Sequence, residues 1–304
     1  MDLDDLNARF ARPGAIAFEM SPLGGAVARL SRGPDTATVA LQGAQVLGWR
    51  HHGTEMLWLS PVARLGTGKA VRGGIPVCWP WFGLHPSDAE KPAHGFVRTR
   101  EWDVISSVAD DDTASITFAT ATRPEDQALF PHMAEVTLTV ALGDGLSLDL
   151  ATRNTGPGPL PLSQALHTYF RVADIATVLV EGLTGRRYID KLGDQTIRKP
   201  QVGPVSFERE VDRIYLGRTE AITLLYDLYA RRQLTIGSEG SASAVIWNPW
   251  IDKTARLSDM GGPNAYRHMV CIETANAGDD VQTLAPDTEH VLSAFYRIVE
   301  VSAS

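Results

Sequence analysis

The chain has 304 residues, 44% of them hydrophobic and 21% charged, enough apolar material for a large core beneath an ordinary globular surface. A net charge of −8 makes nucleic acid and anionic membranes poor partners, but leaves room for a small anion at a local arginine cluster. Only Cys78 and Cys271 are present, far apart and among apolar neighbours; they read as buried thiols of a reducing compartment.

In chain order, residues 1–12 carry Asp2, Asp4 and Asp5 and no apolar run, unlike a signal peptide, and residues 4–10 have a helical pattern. No stretch of about 18 apolar residues follows, so a cytoplasmic location is expected. From residue 26 onward the dominant signal is short apolar–polar alternation rich in β-branched residues. It is broken by Gly, Pro, Asn and Asp at intervals of about ten. Segments 26–30, 36–41, 115–121, 135–142, 146–152 and 291–299 read as strands, and Gly143-Asp144-Gly145 closes a hairpin between the fourth and fifth. A second short helix is expected over 124–129, capped by Thr122. The Pro- and Gly-rich stretch 154–161 reads as a tight loop, because strand-like sequence resumes over 162–172. Strands do not alternate with long helices, so the fold class is all-β, a sandwich or barrel in one domain over 1–304.

Several apparent motifs fail. Gly66-Thr67-Gly68-Lys69 lacks the Gly and Ser/Thr of a phosphate loop, having Ala63 and Ala70 instead, and Gly73-Gly74 runs into Ile75-Pro76 rather than a helix. His51-His52 lacks a third metal ligand at suitable spacing, and neighbouring strand residues face opposite sides, so the pair reads as solvated turn histidines. Cys78 lies between Val77 and Trp79, a setting that raises a thiol's pKa rather than activating it. No resident metal or cofactor is expected.

Four segments place polar groups where strand sequence would otherwise be bland. Arg72 stands beside Gly73-Gly74, which can bring its donor fork and nearby backbone close to an oxyanion. In 93–102, His94, Arg98, Arg100 and Trp102 share a face if the segment is extended, the alternative being an edge strand with solvated charges. His167 is the one ionisable group of Leu166-His167-Thr168-Tyr169-Phe170; it reads as either a hydrogen-bonded core residue or a general acid. Glu273 follows the apolar run 269–272, where it must find a donor, reach an exposed end, or have the raised pKa of a general base. Asp212 poses the same question, with Arg213 available to screen it.

Taken together, Arg72-Gly73-Gly74-Ile75-Pro76, His94-Gly95 with Arg98, His167-Thr168-Tyr169-Phe170, Asp212 with Ile214-Tyr215, Trp247-Asn248-Pro249-Trp250 and Cys271-Ile272-Glu273 resemble the glucose-6-phosphate 1-epimerases. These are a branch of the aldose 1-epimerase, or galactose mutarotase-like, superfamily. The resemblance spans about positions 40 to 300 in order. It implies a galactose mutarotase-like β-supersandwich of large antiparallel sheets with the site on a concave face. It also implies His167 as general acid, Glu273 as general base, and Arg72, Arg98, Asp212 and, more weakly, His94 as substrate-binding positions, the arginines facing a phosphate. The implied partner is a small phosphosugar, with the chain a monomer or weak homodimer and no cofactor. Two departures are visible: Ala93 stands where some relatives have Gln, and Thr274-Ala275-Asn276 where some have Pro-Gly, which is expected to alter the rim of the site.

Anomerisation then needs Glu273 at the C1 hydroxyl and His167, as imidazolium, at the ring oxygen. Three rival readings remain: an epimerase of unphosphorylated aldoses, a non-catalytic carbohydrate-binding protein of the same fold, and a glycoside hydrolase using Asp212 and Glu273.

Overall fold

The computed structural model describes residues 2–217 and 222–299. Among them, two eight-stranded sheets dominate. The outer sheet runs in the order Val178–Glu181, Ile222–Asp227, Arg232–Glu239, Glu289–Val299, Gly145–Asn154, Ala134–Gly143, Ala114–Ala121, Asp103–Ala109. The inner sheet runs Arg198–Pro200, Arg187–Asp190, Val211–Leu216, Ser243–Asn248, Met269–Asn276, Gln164–Leu166, Val77–Cys78, with Tyr169–Arg171 also paired to Met269–Asn276. A five-stranded sheet, from Ile16–Met20 to Thr54–Glu55, flanks them. The pairings within these sheets are antiparallel. All six expected strand segments are found, and Gly143 pairs with Gly145 across the expected turn.

The core lies between the two large sheets because each inner strand turns alternate residues toward the outer one. Phe170, Val270 and Ile272 enter that core together with Leu148, Leu150 and Leu292, and Phe170 meets Tyr296 edge-on at 5.3 Å. Trp79 Nε1 enters this core paired, donating to Thr152 Oγ1 at 3.0 Å, whereas Trp49 Nε1 is buried there without a partner. The Met269–Asn276 strand is buried along its whole length. Its even residues face the core, and its odd residues, among them Cys271 and Glu273, face the opposite side of the sheet, where the site forms.

The helical expectations fare differently. Leu3–Phe10 is a helix capped by Asp2, whose carboxylate accepts from Asp5 N–H at 2.9 Å, and it buries Leu6 and Phe10. The second shrinks to a 3₁₀ turn over Pro124–Asp126, because Asp126 accepts from Arg123 N–H and from Arg100 at 2.6 and 3.0 Å. Thr122 caps nothing there; its hydroxyl is bonded to the backbone of Ala134. The 154–161 stretch is a tight loop as expected. It is tied down by buried Asn154, which donates to Gly158 O and Leu284 O.

The paired glycines turn out to serve the neighbouring chain rather than an anion. Gly73 and Gly74 have φ of +105° and +63°, and a Cβ on Gly74 would lie 2.1 Å from Val46 O. That backbone oxygen cannot swing aside as a side-chain end would. Gly74→Ala is therefore expected to destabilise the fold by at least about 2 kcal/mol and to displace Arg72, read as a lower denaturant midpoint.

Candidate active site

Of the residues singled out from the sequence, Arg72, His94, His167, Asp212 and Glu273 converge on one depression of the inner sheet's outer face, and Arg98 lines an adjoining one. The strand registers explain how. Asp212 pairs with Trp247, Trp247 with Cys271, and Cys271 with Tyr169, so four site-facing side chains form one row across the sheet. Glu273 is two residues along, on the same face. The expected strand over 162–172 is broken: Gln164–Leu166 and Tyr169–Arg171 both pair with Met269–Asn276, and His167-Thr168 bridge them. At the break His167 N–H turns to Pro76 O at 3.0 Å, and Thr168 points into the core, bonded to the Tyr296 hydroxyl at 2.6 Å. His167 is thereby held against the strand that carries Glu273.

His167 Nε2 and Glu273 Oε1 lie 3.4 Å apart, with the residues only 8% and 2% exposed. The imidazole stacks on Tyr169, with ring centres 4.8 Å apart and planes within 8°, and meets Trp247 edge-on. Two atoms of the pair, His167 Nδ1 and Glu273 Oε2, are buried without a protein hydrogen bond. Unpaired buried polar atoms are costly, and the two residues that carry them line a cavity of about 200 Å³ whose other walls include His94, Lys191, Asp212, Trp247 and Lys253. Burial drives both members toward their neutral forms, raising the Glu273 carboxyl well above its ordinary value and holding the His167 imidazolium well below. The ion-pair form, in which His167 carries the proton as imidazolium, is therefore the form of the pair that burial disfavours.

His94 is on the same cavity, its ring 5.6 Å from that of His167. Its Nδ1 accepts from Gly83 N–H at 3.3 Å, which leaves Nε2–H as a donor, and burial lowers its pKa to about 3, so it is a neutral donor at pH 7. Asp212 is not screened by Arg213, which lies over the Tyr188 ring at 4.6 Å; Lys253 Nζ stands 3.7 Å from the Asp212 carboxylate instead. Burial raises the Asp212 pKa, and Lys191 and Lys253 oppose it.

The 93–102 segment is not extended. Gly95 (φ +73°) packs its Cα against Trp79 O, and Val97–Thr99 then makes a 3₁₀ turn around buried Val97. Arg98 and Arg100 part company as a result. Arg100 pairs with Asp126, whereas Arg98 donates to Ala93 O at 2.7 Å, leaving its buried Nε without a partner. Arg98 faces a second cavity of about 500 Å³, shared with Lys69, Arg256 and Asp259. Arg72 borders both cavities. Asp259 and the Tyr169 hydroxyl hold its guanidinium, at 2.9 Å from Nε and 3.1 Å from one terminal nitrogen respectively.

The Thr274-Ala275-Asn276 departure does not form a rim. Thr274 and Asn276 lie inside the sheet, and Asn276 accepts from Gln164 and donates to Gly240 O. Cys78 is buried as expected, its thiol pushed up to about 12 by that burial. The His51-His52 pair does have an acidic neighbour: His52 adopts φ +47°, which stacks the two rings at 4.3 Å, and Asp35 bonds His51 Nδ1 at 2.8 Å. Asp35, His51 and His52 thus bring three ligand atoms within 4.8 Å of one another, which corrects the expectation that the histidines face opposite sides and lack a third ligand; the bonds of Asp35 with His51 Nδ1 and His52 N–H make the group a hydrogen-bonded turn.

A model of the family described as aldose 1-epimerase matches residues 28–296. The chain belongs to the aldose 1-epimerase family. It is therefore an isomerase of the epimerase type. A protein of the grass Cenchrus ciliaris, provisionally named glucose-6-phosphate 1-epimerase, is 36% identical to it, over 83% of this chain and 78% of its own length. One from Escherichia coli K12 with the same provisional name is 35% identical over 84% of both. A crystal structure from Salmonella typhimurium, provisionally titled a mutarotase, superposes with a TM-score of 0.87 at 28% identity, covering 98% of this chain and 99% of that one. A galactose mutarotase-like protein from Clostridium acetobutylicum, 16% identical with a TM-score of 0.73 over 94% of this chain and 98% of its own, shares the fold.

Sequence reasoning missed Lys191, Lys253, Arg256 and Asp259, which sit outside the six matched blocks with no local signal, and set Lys69 aside with the failed phosphate-loop pattern at 66–69. Lys191 is the most informative. Its ammonium lines the cavity of the pair and, among the described residues, has no hydrogen bond or ion pair. It opposes ionisation of His94 and favours that of Glu273 and Asp212. Removing this cation in Lys191→Met is expected to shift the basic limb of the pH–rate profile upward by on the order of one unit, measured by anomer exchange across pH. An unmoved profile would leave Lys191 a purely structural residue.

Proposed function

We propose that this enzyme interconverts the α and β anomers of a hexose 6-phosphate, glucose 6-phosphate foremost, by acid–base ring opening and closure. The observation that carries the reading is the adjacency of two cavities at Arg72: one holds the His167–Glu273 pair, the other holds Arg98, Lys69 and Arg256. A pyranose placed in the first extends its 6-phosphate toward the second. The provisional names of the relatives point to the same substrate.

In the ion-pair form, Glu273 accepts the proton of the C1 hydroxyl while His167 delivers its proton to O5, and the C1–O5 bond breaks to give the open aldehyde. This leaves both side chains neutral, the state their burial favours. After rotation about C1–C2, Glu273 returns the proton to O1 and His167 recovers its own from the O5 hydroxyl as the ring closes on the other carbonyl face. Nothing is oxidised or reduced, and no covalent intermediate is needed. His94 Nε2–H and Asp212 orient the ring hydroxyls, and Arg72 and Arg98 bind the phosphate through charge-assisted hydrogen bonds. One chain supplies every residue invoked, so a monomer or weak homodimer suffices.

The test is α-to-β equilibration by NMR exchange on glucose 6-phosphate and on glucose at equal concentration. Faster catalysed exchange of the phosphosugar supports the proposal. Equal rates would assign the enzyme to unphosphorylated aldoses, and release of reducing ends from a disaccharide would reassign it to glycoside hydrolysis.

A further inference from the structure

The acid–base pair has a third neighbour that anomerisation does not use. Cys271 precedes Glu273 by two residues on the same strand face, and one ring nitrogen of His167, the Cys271 sulfur and one Glu273 carboxylate oxygen all lie within 4.8 Å of one another. We propose that these three side chains form a binding site for a thiophilic divalent cation of the Zn²⁺ or Cd²⁺ type, and that its occupation blocks the enzyme.

The donor set is one nitrogen, one thiolate sulfur and one carboxylate oxygen, which suits zinc and its softer congener and not Mg²⁺ or Ca²⁺. The spacing fits as well. Two ligands about 2.0–2.1 Å from a tetrahedral zinc lie about 3.3–3.4 Å apart, and His167 Nε2 and Glu273 Oε1 are separated by 3.4 Å. The atoms that would otherwise compete are absent from the pair: His167 Nδ1 and Glu273 Oε2 have no protein partner, so neither side chain is locked into another hydrogen bond. Three protein ligands leave a fourth tetrahedral position for water, and two of the three residues, His167 and Glu273, line the cavity. Binding exchanges the Cys271 S–H bond for a sulfur–metal bond and releases the proton to solvent, with no change of oxidation state. The cation occupies the lone pairs that would exchange protons with substrate, so inhibition follows directly. That consequence rests on the proposed acid–base function, whereas binding of the cation does not.

The proposal is tested by titrating the metal-free wild-type chain, Cys271→Ala and Cys78→Ala with CdCl₂ while recording ultraviolet thiolate-to-metal absorption, and by assaying anomerisation in the same solutions. The wild type and Cys78→Ala are expected to show the band and to lose activity, with recovery on adding a chelator; MgCl₂ is expected to do neither. Losing one outer partner of a metal costs about 10–100-fold in affinity, so losing the thiolate in Cys271→Ala should raise the inhibition constant at least about 100-fold. Absence of the band in the wild type, or a band that follows Cys78, overturns the site. A Cys271-dependent band with undiminished anomerisation overturns the inhibitory role. A metal-free wild type without any catalysed exchange tells against the proposed function instead, and leaves the binding site to be judged by the absorption alone.

Discussion

Glu273→Gln and His167→Asn are each expected to lower kcat for glucose 6-phosphate anomerisation by about 10²–10⁴-fold, the usual span for loss of a positioned general acid or base. Glu273→Gln preserves volume, whereas His167→Asn keeps hydrogen-bonding capacity but removes the ring stacked on Tyr169, so denaturant unfolding of that variant accompanies the assay. The pH dependence adds a sign. The pair is active while it holds one transferable proton. Activity therefore falls in acid only when His167 also becomes charged, below its ordinary value near 6.5, and in base when Glu273 ionises, well above 4.5. The acid limb of the wild-type profile is thus expected below 6.5 and the basic limb well above 4.5. Stability gives an independent readout. The raised Glu273 pKa contributes stability that is fully present below the unfolded value of about 4.5 and is lost as pH rises toward the folded value. Glu273→Gln should therefore gain stability relative to wild type as pH increases, measured by denaturant unfolding at several pH values. Unchanged catalysed rates in folded variants would remove the mechanism.

Arg98→Ala is expected to lower kcat/KM for glucose 6-phosphate by roughly 10–150-fold, the equivalent of one charge-assisted contact of about 1.5–3 kcal/mol, while changing the rate on glucose little. The reasoning is geometric. Arg98 lines the second cavity and not that of the His167–Glu273 pair, which its charge reaches only by helping to keep His167 neutral, the form that burial already favours. Parallel saturation curves for the two sugars decide the matter. Equal losses on both would mean that Arg98 serves the loop, through its bond to Ala93 O, rather than the phosphate.

The strands were legible because their alternation is enforced by burial: Ala134–Gly143 and Gly145–Asn154 each turn every second residue inward. Irregular backbone was not. An extended 93–102 was a fair reading of even spacing, but it could not anticipate that Gly95 packs on Trp79 O and that the chain then coils around Val97. The lost helix at 124–129 has the same origin: Asp126 is drawn to Arg100, which is distant in sequence. The rim expected at 274–276 failed because the Gln164 side chain and the Gly240 carbonyl oxygen satisfy Asn276 inside the sheet.

The residue types needed for the chemistry, one imidazole and one carboxylate each set in apolar sequence, were determined by the sequence alone, because a lone ionisable group in a hydrophobic strand must be either paired or functional. Tertiary structure alone decided that the two meet at 3.4 Å. It also decided that Lys191 joins them, that the arginines line an adjoining cavity, and that the pair shares its proton in near-neutral form. Register between strands and the extent of burial set distances and proton affinities, and neither is a local property of the chain.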